Sequence, residues 1–318
     1  MVRAHSQFIY KARQYRKQTI TKAALFAIIV ILAALIPLAY LNIMGKRGPD
    51  RKELLQLWES SAFDEVFLIS EEQLAQKPLD YFLLTTHGFS AYQLAMAQIN
   101  SFNMLIFIDN CIWSLRKALL FKEGLNDGRL FYVLGKAYYY KGTGYGDLAV
   151  RYLEKARSIG FYSRDISEYL GLTYASIRDY RSSVEAFSRY LHSPIENNDF
   201  SPSDMLLLSI ATSYIALGED EIAQAYLVQC LDTSKDSNLV SIAHLNLGEI
   251  LSRRGDLAGA EAQYIKVIEG GGDNAEARYL LGELYNTKGE TIRARAEWRR
   301  AIQIDPSHRL ARARLNML

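Results

Sequence analysis

Residues 241–308 read SIAHLNLGEILSRRGDLAGAEAQYIKVIEGGGDNAEARYLLGELYNTKGETIRARAEWRRAIQIDPSH and contain two consecutive units whose key residues recur 34 positions apart. The matched pairs are Gly248 with Gly282, Gly255 with Gly289, Ala260 with Ala294, and Val267 with Ala301. Self-similarity at this period indicates stacked helix pairs, in which no pair buries its apolar face alone. We therefore expect the function to lie on a surface of the stack.

The second unit combines small residues, which let helices approach closely, with large aromatic residues, which fill the space between them. Counted from Ala275, its key residues are Leu281 (position seven), Gly282 (eight), Tyr285 (eleven), Ala294 (twenty), Trp298 (twenty-four), Ala301 (twenty-seven) and Pro306 (thirty-two). This order of residue types resembles the tetratricopeptide repeat family. The resemblance implies an all-α fold, an α-solenoid of helix hairpins.

Similar patterns precede these two units. Units that begin at Gly128, Arg164 and Asp204 carry an apolar residue, a small residue and a tyrosine at positions seven, eight and eleven. With two divergent repeats before them, these are the third, fourth and fifth repeats, and the two units of residues 241–308 are the sixth and seventh. We predict divergent repeats over residues 45–127, a regular array over 128–308 and a capping helix over 309–318. Ser307 is the expected N-cap of that last helix.

The N-terminal segment differs from the repeats. Residues 1–22 contain six basic and no acidic residues, and residues 23–41 form an uncharged stretch of 19 residues, enough to cross a bilayer. We predict a cytoplasmic basic tail over 1–22 and one transmembrane helix over 23–44. A cleaved signal peptide is the alternative, although its apolar region is usually only about 7–15 residues long. The basic flank favours a cytoplasmic N terminus, which would place the repeats in the periplasm, anchored to a bacterial inner membrane.

Composition argues against several other functions. The formal net charge is +2, so no nucleic acid partner is expected. Cys111 and Cys230 are too far apart in sequence for a CxxC metal site, and the five histidines lack the spacing of a zinc-binding helix. The glycines at 142, 144 and 146 lack the lysine that ends a phosphate-binding loop and are predicted to form a turn. We expect no enzyme activity, no cofactor and no metal site.

The family resemblance also predicts a binding surface. In tetratricopeptide proteins, positions two, five, nine, twelve and thirteen of each repeat line a groove. Transferred to this chain, those positions predict a partner-binding groove formed by Tyr132, Lys136, Tyr139, Tyr140, Glu168, Leu172, Met205, Leu208, Thr212, Ile215, Leu245, Glu249, Ser252, Arg253, Tyr279, Glu283 and Asn286. Tyrosine, leucine and methionine suit a partner helix or extended peptide. The alternative for each residue is packing against a neighbouring helix.

The groove differs from that of family members that capture chaperone C termini with Lys and Asn at positions five and nine. Here Tyr132 and Lys136 occupy those positions, and Glu168 follows in the next repeat. A second candidate surface is the basic C-terminal face, which comprises Arg295, Arg299, Arg300, Arg309 and Arg312. It could dock an acidic partner, or it could simply be a solvated helical face.

These features predict a non-enzymatic, membrane-anchored scaffold that binds other proteins within an oligomer or multiprotein complex. A basic tail, one span and tyrosine-rich divergent repeats are similar to the spirochaete periplasmic proteins of the flagellar motor collar, and this resemblance implies that role. A translocon-associated periplasmic chaperone and a cytoplasm-facing adaptor for envelope synthesis are the alternatives.

Overall fold

The computed structural model describes residues 51–192, 202–271 and 273–315, which form helices and turns without a strand. This arrangement confirms the expected helical solenoid. The predicted basic tail (1–22) and transmembrane helix (23–44) lie outside the described residues. Among the helices of the described ranges, none has the length and apolar character needed to span a bilayer.

The chain divides into two compact units, Met1–Ser90 and Ala91–Leu318. In the first unit, α1 (Arg51–Glu59) packs against α2 (Phe63–Gln76), and α3 (Tyr81–Met96) begins there and continues into the second unit. The core of the first unit includes Leu54, Val66, Leu74 and Leu84. The ring of Phe67 stacks on the buried ring of His87, with 4.5 Å between their centroids.

The second unit contains α4 (Ser101–Ala118), α5 (Lys122–Leu125), α6 (Gly128–Lys141), α7 (Gly146–Ser158), α8 (Ile166–Ser176), α9 (Tyr180–Leu191), α10 (Asp204–Leu217), α11 (Asp220–Thr233), α12 (Ser237–Arg253), α13 (Leu257–Gly271), α14 (Ala275–Thr287), α15 (Thr291–Ile304) and α16 (Arg309–Arg314). From α6 to α15, consecutive helices pair into five helix hairpins. The second helix of each hairpin packs against the first helix of the next. The first helices of neighbouring hairpins also touch, as α8 does with α10. This stacking buries a series of apolar clusters along the unit.

Close packing explains the glycine at position eight, which four of the five hairpins have and which Ala211 replaces in the remaining one, α10–α11. A Cβ added to Gly282 would lie 2.5 Å from Trp298, and one added to Gly248 would lie 2.4 Å from Tyr264. The equivalent Gly171 meets the ring of Phe187 in the same way. A large side chain from the second helix therefore occupies the space that any larger residue would need.

The turn inside each hairpin requires a left-handed backbone at position fifteen. Gly218, Gly255 and Gly289 take φ values of 79°, 84° and 80° there. Arg178 occupies the same position between α8 and α9 with φ of 64°, a conformation that is strained for a residue with a Cβ. Helix starts are stabilised by side chains such as those of Asp127, which accepts a hydrogen bond from the Arg129 amide.

The cap of the last described helix corrects one sequence prediction. Ser307 was expected to cap α16, but its amide and hydroxyl both donate to the carboxylate of Asp305. The helix begins one residue later, where Nδ1 of His308 accepts a hydrogen bond from the amide of Ala311. The prediction failed because Asp305 lies close enough to take both serine donors.

Candidate partner-binding groove

A cavity of about 720 Å³ opens along the first helices of consecutive hairpins in the second unit. Its lining includes Tyr139 and Tyr140 from α6, Leu172, Ala175 and Ser176 from α8, Tyr180 from α9, Met205, Leu208 and Thr212 from α10, and Ile242 from α12. None of the described residues that line it carries a charged side chain. We call this surface the apolar groove.

Tyrosines form one fixed wall of the apolar groove. The hydroxyls of Tyr140 and Tyr169 are hydrogen-bonded at 2.7 Å, so α6 and α8 are tied together at this wall. The ring of Tyr139 stands edge-on to that of Tyr169, with centroids 5.2 Å apart. Burial raises the pKa of the Tyr139 hydroxyl, which therefore stays neutral.

The opposite side of the apolar groove is accessible. Met205 is 58% exposed, and Thr212 and Ile242 are also exposed. Leu208 is buried beneath them and packs with Ala211 and Leu247 into the core of the stack. An entering side chain would meet apolar groups supported from below by the core, next to a rigid aromatic wall.

Two other residues predicted for the groove take part in an internal cluster instead. Nζ of Lys136 lies 2.9 Å from Oδ2 of Asp165 and 3.0 Å from the hydroxyl of Tyr132. The Tyr132 hydroxyl donates to the same carboxylate at 2.7 Å, and the Ser163 hydroxyl donates to it as well. The ammonium also lies 4.3 Å from the ring centroid of Tyr169. Tyr132 and Lys136 thus hold α6 to the start of α8.

Electrostatics keep this cluster ionised. Burial would raise the pKa of the Asp165 carboxyl, but hydrogen bonds from Ser163, Lys136 and Tyr132 lower it overall. Burial would lower the pKa of Lys136, yet its contacts with Tyr92, Asp165 and Tyr132 raise it. Both members of the pair are therefore charged near neutral pH.

The remaining predicted groove residues lie outside the cavity. Burial raises the pKa of the Glu168 and Glu249 carboxyls. Glu168 also forms a side-chain hydrogen bond with Tyr190. Arg253 forms an ion pair with Asp220 at 2.6 Å. Ile215, Leu245 and Ser252 are partly buried, and Asn286 is exposed.

Near α16, two further predicted positions have partners. The ring of Tyr279 lies 5.1 Å from that of His308, and Glu283 forms an ion pair with Arg314. These contacts dock α16 over the seventh repeat. Within the described residues, the predicted groove positions that converge on one cavity are those of the third, fourth and fifth repeats.

The basic C-terminal face is only partly free. Arg300 forms an ion pair with Glu297, and Glu297 forms a second ion pair with Arg278. All five arginines of the predicted face are exposed, and Arg295, Arg299 and Arg309 form no ion pair within residues 273–315 or the other described ranges. The face therefore combines arginines with and without an ion pair, and it is not one continuous basic patch.

The sequence analysis missed several residues of the apolar groove, of which Ile242 and Tyr180 are the two large ones. Ile242 stands at position two of the sixth repeat, which is one of the lining positions, so the family pattern itself could have indicated it. Tyr180 begins the second helix of its hairpin and follows no first-helix pattern. Only its placement beside α8 brings it to the cavity.

Potential metal ligands do not cluster in the part of the chain that the structure describes. No three His, Cys, Asp or Glu residues there come close enough to hold a metal ion. Cys111 and Cys230 are both buried as free thiols. Burial raises the pKa of the Cys230 thiol, and its contact with Asp204 raises it further.

Comparison with known proteins agrees with this architecture. A family model described as tetratricopeptide repeat matches residues 245–309. Residues 245–309 contain tetratricopeptide repeats. Among curated proteins, the CTR9 homolog of Arabidopsis thaliana is 28% identical over 116 residues. That match covers 36% of this chain but only 10% of the relative, so the chain spans about a tenth of the length of the curated protein it matches.

Solved repeat structures are similar in fold. PilW, described as a widely conserved type IV pilus biogenesis factor, has a TM-score of 0.55 at 18% identity over 72% of this chain and 98% of that one. The C-terminal part of a repeat protein from Cytophaga hutchinsonii also has a TM-score of 0.55, at 16% identity, over 82% and 98% of the two chains. PilF of Pseudomonas aeruginosa has a TM-score of 0.51 at 13% identity, over 73% and 97%. At these identities the similarity concerns the repeat fold alone.

Proposed function

We propose that this tetratricopeptide repeat protein is a non-enzymatic scaffold that holds a segment of another protein in the apolar groove. The observation that carries the proposal is the convergence of four consecutive repeats, the third to the sixth, on one uncharged cavity. Its wall of Tyr139 and Tyr140 is rigid, while Met205 and Ile242 remain accessible. Rigid aromatic and accessible apolar side chains provide contact area at a small cost in conformational entropy.

The chemistry of the groove defines the kind of partner segment. With no charged residue among the described lining, the groove favours a segment with two or three large apolar side chains, presented by a helix or an extended strand. A terminal carboxylate would find no lysine or arginine there. The Tyr140 hydroxyl already bonds to Tyr169, so the wall supplies shape more than hydrogen bonds.

Charge introduced into the accessible side of the groove tests this proposal. We expect Met205→Glu and Ile242→Glu each to weaken binding of the co-purifying partner at least about tenfold, because a carboxylate would be buried against apolar groups. Ile292→Glu is the matched control, since Ile292 is 87% exposed on α15, away from the groove. Partner identity comes from a pull-down with mass spectrometry, and affinity is then measured with the purified partner. Equal affinities for all three variants would refute the groove.

We further propose that residues 23–44 anchor the scaffold in a bacterial inner membrane, with a cytoplasmic N terminus and a periplasmic repeat array. The support is the uncharged stretch of 19 residues and the six basic residues before it. A new cysteine within residues 193–203 tests the topology with a membrane-impermeant maleimide, because Cys111 and Cys230 are buried. Labelling that requires rupture of the inner membrane would favour the cytoplasm-facing adaptor.

The assembly that we propose for the scaffold is the flagellar motor collar of spirochaetes, with a translocon-associated chaperone as the alternative. The support is the resemblance in overall organisation: a basic tail, a single span and divergent tyrosine-rich repeats. A fluorescently tagged chain should concentrate at the cell positions of the flagellar motors. An even distribution along the membrane would argue for the alternative.

A further inference from the structure

Helix α4 has two apolar faces, of which only one is covered. Its inner face places Ile108, Cys111, Leu115 and Ala118 in the core, and the helix packs against α6. Its outer face exposes a row of large apolar side chains, with Phe102 71%, Ile106 47% and Trp113 48% exposed, and Leu120 follows just beyond the helix at 75%. Exposed rows of this kind mark interaction surfaces.

The spacing of the outer face is that of a helix that meets another helix. Positions 99, 102, 106, 109, 113, 116 and 120 alternate steps of three and four, and those at 99, 106, 113 and 120 are Ile, Ile, Trp and Leu. Alternating steps of three and four give the seam of a helix pair. A notch of about 480 Å³ lies beside Trp113 and combines apolar with charged lining residues: Ile112 and Leu120 with Asp109, Arg116, Lys117 and Lys141.

Charged residues accompany this row in a self-complementary order: Asp109 and Arg116 stand in the row and Lys117 stands beside it. Asp109 is exposed and lies four residues before Trp113, while Lys117 lies four residues after it. Ile106 and Leu120 are likewise each seven residues from Trp113, on opposite sides. Within the chain, Asp109 pairs with Lys141, and Nζ of Lys117 lies 3.5 Å from the centroid of the Trp113 ring.

We propose that the outer face of α4 binds the same face of a second copy of this chain, in an antiparallel dimer whose two-fold axis passes near Trp113. Such an axis places residues before position 113 of one copy opposite residues after it in the other. Asp109 then meets Lys117 of the partner copy twice, once on each side of the axis. Ile106 and Leu120 meet in the same way, so apolar residues oppose apolar residues and opposite charges face each other.

A lipid surface is the other environment that an apolar helix face can enter, and Asp109 argues against it. The carboxylate lies in the middle of the row, so insertion of the row into lipid would carry a charge out of water. A second copy supplies a cation to each carboxylate. The surface lies outside the apolar groove, so the dimer and the groove are independent of each other.

Charge reversal in the full chain tests the dimer. In a mild non-ionic detergent, which accommodates the expected membrane segment, sedimentation velocity should show a dimer of the wild-type chain. Asp109→Lys and Lys117→Glu should each weaken dimerisation at least about tenfold, because each places like charges together twice. An equimolar mixture of the two variants should restore the dimer as a heterodimer, since both opposing pairs then have opposite charges.

Two controls separate the dimer from other effects. Met205→Glu alters the apolar groove and should leave dimerisation unchanged. Circular dichroism verifies that the variants keep their helices. A monomeric wild-type chain would overturn the proposal. Charge variants that stay dimeric would also overturn it, because another segment such as residues 23–44 would then hold the copies together. So would a mixture of the two variants that forms no heterodimer.

Discussion

Lys136 and Asp165 form an ion pair, 2.9 Å between Nζ and Oδ2, that joins α6 to the start of α8 across the boundary between two repeats. The hydroxyls of Tyr132 and Ser163 donate to the same carboxylate. The side chains of Lys136 and Asp165 are mostly shielded from solvent, at 12% and 29% exposure. Removal of one member of a shielded pair costs more than removal of one member of an exposed pair, because it leaves an uncompensated charge away from solvent.

Removal of one member of this pair should therefore destabilise the junction between the third and fourth repeats. Asp165→Ala leaves Lys136 and two hydroxyl donors without their acceptor, and we expect a loss of about 2–3 kcal/mol. Hydrogen exchange of the α6 and α8 amides measures this locally, which suits a repeat array that need not unfold in one step. Arg157→Ala is the control, because its pair with Glu154 is exposed and should contribute within about 0.5 kcal/mol. Equal effects of the two substitutions would contradict the assigned role.

Gly282→Ala should destabilise the last hairpin, although alanine usually favours a helix over glycine. The new Cβ would lie 2.5 Å from the Trp298 ring and 3.2 Å from the Ala294 carbonyl oxygen. Such overpacking costs about 1–3 kcal/mol. Gly270→Ala in α13 is the matched control, since nothing lies within 4 Å of its added Cβ, and it should be neutral or stabilising. Thermal unfolding monitored by circular dichroism should separate the two variants, and a Gly282→Ala chain as stable as the control would rule out the steric account.

The first unit should lose stability in mild acid because of His87. Burial lowers the pKa of this histidine from 6.5 to about 4. Between pH 6.5 and 4 the unfolded chain binds a proton at His87, whereas the folded unit keeps His87 neutral. The stability of the first unit is therefore fully present above pH 6.5 and decreases as the pH falls toward 4. The loss should be about 2 kcal/mol at pH 5 and reach about 3 kcal/mol below pH 4. Hydrogen exchange of α2 at pH 7 and pH 5 measures the first of these values.

His87→Leu isolates this effect from the titration of carboxylates. Leucine cannot bind a proton, so the acid-dependent loss in α2 should be much smaller in the variant than in the wild-type chain. An unchanged pH dependence would show that His87 does not titrate as described.

Helix α16 should detach when its buried contact is made polar. Ala311 is fully buried in a cluster with Leu281 and Trp298. Ala311→Asp places a charge there, which we expect to lower local stability by about 2 kcal/mol and to increase the quenching of Trp298 fluorescence by acrylamide. Ala313→Asp adds the same charge at an exposed position of the same helix and should leave quenching unchanged. Trp58 and Trp113 emit equally in both variants, so equal quenching would mean that α16 does not cover Trp298.

The repeat architecture was predictable because its determinants lie close together in sequence. Gly282 and Trp298 belong to one hairpin, and Gly289 forms the turn between their helices with φ of 80°. The steric requirement therefore returns with each hairpin and appears as a period of 34 residues. Even the exception, Arg178 in place of a glycine, occupies the expected turn.

The apolar groove was predictable only in part. The family pattern indicated Tyr139, Leu172, Met205 and Leu208, and the structure brings these residues to one cavity. The same pattern indicated Lys136, whose partner Asp165 is 29 residues away on the next hairpin. No local spacing distinguishes a lysine that faces a ligand from one that reaches a neighbouring carboxylate.

The sequence by itself determined that the chain is a stack of helix hairpins, because glycine, alanine and aromatic residues recur wherever two consecutive helices must pack closely. Only the tertiary structure decided which side chains remain available. Partners such as Lys136 with Asp165 and Tyr140 with Tyr169 meet across hairpins, where three-dimensional neighbours rather than sequence spacing set the contacts. The same reason explains α4, whose apolar run is covered on one face by α6 and left exposed on the other.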